Sequence, residues 1–305
     1  METLTQPRFT TKTVSISATD GFDLAAIVLE PIGEAKATIQ IHSGTGIKKE
    51  FYLKFAKFWA EQGFVVVVFD YRGIGASRPA SLRGFEANTR DWGERDMPGV
   101  LNWLHWHYPH LKKFVIAHSM GGQLIGLMPN HHLLAGVVSI ASSVGYWRIF
   151  PAPFKYFTAF IWYVFIPLTT FFLGYAPAKA IGQGEDLPKG VAREWAAWCR
   201  QPRYLRHFFG KTIKNHFYDD ILLPWRAYIV SDDPIANERT GQEILKFYSG
   251  ISVEMERVTP EEAGVKHLGH FGFFTERTGK RLWERPRAYV EQILADDAGR
   301  GVQNP

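Results

Sequence analysis

The segment 114–124, Phe-Val-Ile-Ala-His-Ser-Met-Gly-Gly-Gln-Leu, constrains this chain more than any other. An apolar run of strand character ends at His118, Ser119 follows, and a small-residue helix start comes next. A serine at so sharp a strand-to-helix turn must take a strained backbone conformation, so its neighbours two before and two after must be small. Here they are Ala117 and Gly121, the first one methyl larger than the usual glycine. An ordinary strand–helix junction would also place a serine here, and a five-residue pattern alone carries a real false-positive rate.

The rest of the chain supplies the context. Residues 12–18 and 23–29 read as a hairpin across the turn Asp20-Gly21. Residues 37–41 and 134–140 read as further strands. Residues 64–69, Phe-Val-Val-Val-Val-Phe, read as a strand buried on both faces, as in a parallel sheet. Phe51, Phe55, Phe58 and Trp59 recur at helical spacing over 49–62 and mark a core face, with Gly63 as the cap. Helices are expected over 91–107 (with Trp92, Leu101, Leu104 and Trp106 packing or flanking), 120–127, 237–248 and 279–295. A strand is expected over 252–258, and 296–305 is expected to fray. Strands alternating with helices predict an α/β fold with a mostly parallel central sheet and helices on both faces.

A serine hydroxyl is a weak nucleophile and needs a base oriented by a third group. On this kind of elbow the partners follow in the order acid, then histidine. Residues 224–230 read as a buried strand, followed by Ser231-Asp232-Asp233-Pro234. The two adjacent carboxylates point in different directions, so one reaches the histidine. Asp233, next to Pro234, is the candidate acid, and Asp232 is the alternative, otherwise a solvated or turn-capping neighbour. In His267-Leu268-Gly269-His270-Phe271-Gly272, His270 is the candidate base because small flanks suit a mobile loop; His267 reads as an ordinary loop histidine. His42 and His118 flank other elements of the site but stand in the wrong place for the base. Oxyanion donors are expected at the Met120 N–H and at Gly44 or Thr45, in the turn His42-Ser43-Gly44-Thr45-Gly46.

These segments resemble the α/β-hydrolase superfamily over nearly the whole chain. Asp70-Tyr71-Arg72-Gly73-Ile74-Gly75-Ala76-Ser77 is similar to that superfamily's loop after the fourth strand. More narrowly, Gly145-Tyr146-Trp147-Arg148, Gly174-Tyr175-Ala176-Pro177 and Trp195-Ala196-Ala197-Trp198-Cys199 resemble a bacterial group of predicted α/β hydrolases. The resemblance implies the fold and its catalytic apparatus, with Ser119, Asp233 and His270 as the triad, and leaves the substrate open.

One stretch breaks the alternation. Residues 156–176 hold no charged side chain, long enough for a membrane span, with Lys155 and Lys179 at the ends. Ser119 precedes this stretch and Asp233 and His270 follow it, so a single span would split the triad across the membrane. Pro167 is also expected to divide the run into two shorter helices. The stretch is therefore read as a helical lid, residues 144–222, inserted between core parts 1–143 and 223–305. Its aromatics would line an acyl pocket or pack on the core, with lipid contact as an interfacial alternative. A turn and a capped helix through Trp195 and Trp198 are expected after Gln183.

The net charge of +5 comes without a long basic run, so a nucleic-acid partner is not expected. The lone Cys199 excludes an intrachain disulfide, and no Cys/His cluster with metal spacing surrounds it, so zinc is not expected; the serine chemistry implies no metal or organic cofactor. The opening residues 1–8 carry no apolar signal region, which predicts a cytoplasmic protein. Together these features predict a serine hydrolase of an apolar carboxylic ester or thioester, carboxylesterase- or lipase-like. An amide hydrolase or acyltransferase with the same triad, or a non-catalytic lipid-binding scaffold, are the alternatives.

Overall fold

The computed structural model describes residues 8–251 and 253–301. Eight strands form one sheet: β1 (Phe9–Ser17), β2 (Asp23–Pro31), β3 (Ala37–His42), β4 (Phe64–Phe69), β5 (Lys113–His118), β6 (Leu134–Ile140), β7 (Trp225–Val230) and β8 (Glu254–Val258). Their order is β1-β2-β4-β3-β5-β6-β7-β8. β2 runs antiparallel to β1 and β4, and every other neighbouring pair is parallel. Ser252, where the last strand was expected to begin, and residues 302–305 of the tail lie outside the described residues.

β3, β4 and β5 are buried along their whole length. Successive side chains on a strand point to opposite faces. Val65, Val67 and Phe69 therefore pack into one core, and Phe64, Val66 and Val68 into another behind the sheet. That sandwiching is why these strands read as continuous apolar runs. Helix α1 (Leu53–Glu61) covers the second core with Phe55 and Trp59; Phe51 and Phe58, expected beside them, are only partly buried. Residues 49–52 form a 3-10 turn ahead of α1. Helix α2 (Met97–His107) buries Leu101 and Leu104, but Trp106 points to solvent.

The Asp70–Ser77 motif is an internal bracket. The Asp70 carboxylate accepts from the Lys49 backbone N–H (2.8 Å), the Lys49 ammonium (2.7 Å) and the Ala76 N–H (2.8 Å). Gly75 has φ +51°, and a Cβ there would lie 2.4 Å from Asp70 Oδ2. Arg72 donates to Asp96 at 2.7 Å and to both oxygens of Asp20 at 2.8 Å, tying this loop to α2 and to the β1–β2 turn.

Between Ile140 and Trp225 the chain leaves the sheet. Helix α3 (Met120–Gln123) precedes this excursion; within it lie α4 (Phe154–Phe172) and α5 (Lys189–Cys199). Pro167 does not break α4. Ile161–Phe165 widens into a π turn just before it, and Pro167 falls in the first turn of the following α segment, where its missing N–H costs little. α5 has no side-chain cap, because Pro188 occupies that position.

Candidate active site

Ser119 sits between β5 and α3 with φ +51° and ψ −115°, a conformation that a non-glycine residue holds only when its surroundings enforce it. They do. A Cβ on Gly121 would come within 2.6 Å of His42 Cβ and its carbonyl oxygen, and one on Gly122 within 2.2 Å of Ser142 Oγ. The Ser119 N–H donates to the Ile140 carbonyl at 3.0 Å, pinning the elbow to the end of β6.

The structure brings Ser119, His270 and Asp233 together. His270 Nε2 lies 3.0 Å from Ser119 Oγ, and His270 Nδ1 lies 2.6 Å from Asp233 Oδ2. A carboxylate can only accept, so Nδ1 carries the proton and Nε2 is left bare toward the serine. Asp233 is buried, and its other oxygen accepts from the Ile235 and Ala236 N–H groups at 2.7 and 3.0 Å. His270 stands on a single helical turn, α6 (Gly269–Gly272), with its side chain buried, not on the mobile loop that its glycine flanks suggested.

Asp232 is not a bystander. It accepts from the Leu268 N–H at 3.0 Å and the Gly269 N–H at 2.9 Å, and it pairs with His267 Nδ1 at 2.6 Å. Burial alone would raise its pKa, but these donors outweigh it and hold the carboxyl below the usual value. The two adjacent carboxylates thus divide the work: Asp233 holds the imidazole and Asp232 holds the backbone that presents it.

His118 forms a second chain beneath the triad. Its Nε2 lies 2.9 Å from the His270 carbonyl oxygen, which can only accept, so Nε2 bears the proton. Nδ1 then accepts from Tyr52 Oη–H at 2.7 Å, and Tyr52 Oη accepts the Gly44 N–H at 2.9 Å. Burial, with the neighbouring His270 imidazole, pushes the His118 pKa well below the ordinary histidine value. His42 is likewise held neutral, its pKa lowered by burial to about 3, and packs under Gly121.

Of the expected oxyanion donors, Gly44 has its N–H already engaged by Tyr52. The Thr45 N–H has no acceptor among the described residues, and the Met120 N–H lies at the first helical position, where no intrahelical acceptor exists. Tyr52 was not singled out in the sequence, where it reads only as one more aromatic of the helix 49–62.

Ser119 and His270 open into a cavity of about 180 Å3. α4 supplies much of its wall through Ile161, Trp162, Phe165 and Ile166, and α5 adds Trp195. Among the described residues, no Asp, Glu, Lys or Arg lines it. Among the described residues, no group of three or more His, Cys, Asp or Glu could hold a metal ion. Cys199 is buried, its sulfur close behind Gly145.

Residues 33–195, more than half of the chain, match the family Hydrolase_4, described as serine aminopeptidase, S33. No curated protein matches the sequence. Among solved structures, an esterase of Pyrococcus furiosus aligns over 96% of both chains at 16% identity with a TM-score of 0.62. A thermostable carboxyl esterase of Bacillus coagulans aligns over 93% of this chain and 99% of its own, at 13% identity and a TM-score of 0.62. An esterase of Exiguobacterium antarcticum covers 92% and 100%, at 15% identity and 0.59. These likenesses establish a shared fold, and with the family match they make this chain a member of the Hydrolase_4 family of α/β hydrolases, enzymes of the serine-hydrolase type.

Proposed function

We infer that the chain hydrolyses an apolar carboxylic ester or thioester through an acyl-enzyme. Ser119 Oγ attacks the carbonyl carbon while His270 Nε2 takes the hydroxyl proton. Asp233 keeps the imidazole in the required tautomer and stabilises its positive form. The N–H groups of Met120 and Thr45 face the developing oxyanion. His270 passes its proton to the departing alcohol or thiol, and then activates a water that releases the acid from Ser119. The segment between β6 and β7 serves as the lid, with lipid as a contact and a source of apolar acyl groups.

One observation carries this reading: a hydrogen-bonded Ser119–His270–Asp233 chain facing a cavity walled by apolar side chains and free of charged ones. The same wall favours esters over aminopeptides. A free α-ammonium group needs a carboxylate beside it, and no acidic residue among those described lines the cavity. The test is a series of p-nitrophenyl esters of rising acyl length beside aminoacyl anilides. Rising kcat/KM from acetate to medium-chain esters, with anilides far slower, is expected. Anilides cleaved faster than every ester would overturn the assignment.

A further inference from the structure

We propose that the outer face of α4, the helix whose inner face walls the Ser119 cavity, docks on an anionic lipid bilayer. The proposal rests on the hydrolase reading for its purpose and on a separate set of observations for its evidence. α4 is long and apolar enough to cross a membrane, yet only 28% of it is buried. Its two faces do different things. Ile161, Trp162 and Ile166 are buried and wall the cavity. Tyr156, Phe160, Tyr163, Leu168, Phe171 and Phe172 are exposed, Phe171 at 72%.

The exposed side chains form one row: Tyr156, Phe160, Val164, Leu168 and Phe172 recur every four residues, with Tyr163 and Phe171 beside them. Single exposed apolar residues need no explanation, but a stripe along nineteen residues does.

Charge identifies the occupant. From Val144 to Gly184 there is no Asp or Glu, while Arg148 and Lys155 are present; Lys179, at the far end, is paired with Glu185. Three cations lie over aromatic rings at this surface: Arg148 on Trp147, Lys155 on Tyr156 and Arg200 on Tyr163, with the charge 5.1 to 5.5 Å from the ring centre. Cations flanking aromatic and aliphatic side chains suit the boundary between phosphate headgroups and acyl chains. The helix lies along that boundary and does not span it. Its inner face is committed to the core, and Arg83 donates to the Leu173 and Phe172 carbonyls at 3.0 and 3.1 Å, holding its C-terminal end on the loop that follows β4.

Flotation of the full chain with vesicles tests the docking. The chain is expected to float with phosphatidylcholine–phosphatidylglycerol vesicles, weakly with phosphatidylcholine alone, and less as salt rises. Leu168→Ser, Phe171→Ser and Phe172→Ser together should weaken flotation on the order of tenfold or more. These side chains do not line the cavity, so turnover of a short water-soluble ester should stay unchanged. Arg148→Glu with Lys155→Glu should abolish the preference for anionic vesicles. Absent flotation, or equal flotation by the triple variant, would overturn the proposal. So would a parent that is dimeric and a triple variant that is monomeric, since the face would then cover a second copy. A parent that floats but cleaves no ester would instead overturn the hydrolase reading and leave the docking supported.

Discussion

His118 sits directly before the nucleophile and is unable to act as its base, since both ring nitrogens are committed to Tyr52 and to the His270 carbonyl. It acts as a neutral bridge between the Gly44 turn and the backbone of His270. Tyr52→Phe removes two neutral hydrogen bonds and strands the buried Gly44 N–H and His118 Nδ1, a cost of about 1–3 kcal/mol in stability. We expect kcat to fall about tenfold with KM nearly unchanged, since a loss of that size acts here through positioning. An unchanged or faster variant would mean that Tyr52 competes with the oxyanion for Gly44. Because the His118 pKa is depressed, the stability it contributes is complete above the free-histidine value of about 6.5 and is lost as pH falls below it. Nitrogen-15 spectra should accordingly show the neutral Nε2–H tautomer still present at about pH 5.5. Asp232 and Asp233 separate in the same way. Asp233→Asn should cost roughly 10^3- to 10^4-fold in kcat. Asp232→Ala, which frees two backbone N–H groups of the histidine turn, should cost about tenfold with the fold intact. Ser119, Asp233 and His270 were legible because their order along the chain and their small or turn-forming neighbours are local signals. The role of Tyr52, the hold of Asp232 on the histidine turn, and the choice between Gly44 and Thr45 were not. These depend on backbone partners brought close only by the fold, and no local pattern records them.

At the scale of elements, the elbow depends on close approach. Gly121→Ala would push a methyl against His42, and with a neighbour that is itself buried on every side the clash should cost about 2 kcal/mol and move Ser119 off line. Chemical denaturation and loss of serine labelling would both report it; a stable, fully labelled variant would contradict it. The strands were readable because apolar runs of six or seven residues bounded by turns have few alternatives. Helix starts and interruptions were less so. Pro167 reads in sequence as a break, yet the π turn before it absorbs the proline and leaves α4 continuous. The helix containing His270 is one turn long, too short for any periodicity to reveal.

Across the whole molecule, the Asp70–Ser77 loop is the joint between the hairpin, the sheet and α2. Arg72 is buried with both of its carboxylate partners in place. Removing it in Arg72→Ala leaves Asp96 buried without its cation, a loss of about 3–5 kcal/mol. Urea unfolding would measure it, and a cost under about 1 kcal/mol would show the bracket to be dispensable. The α/β alternation and the site of the long excursion were visible in the sequence because they follow periodicity and charge. The strand order was not, since β4 pairs between β2 and β3 only through contacts among residues distant in the chain.

The central claim is that Ser119 is an activated nucleophile. Reaction of the purified protein with a fluorophosphonate, followed by mass spectrometry of the modified peptide, tests it most directly. Modification at Ser119, abolished in Ser119→Ala and strongly reduced in His270→Ala, is the expected result. A folded protein that takes up no probe at Ser119, with mild detergent present to free the cavity, would contradict it.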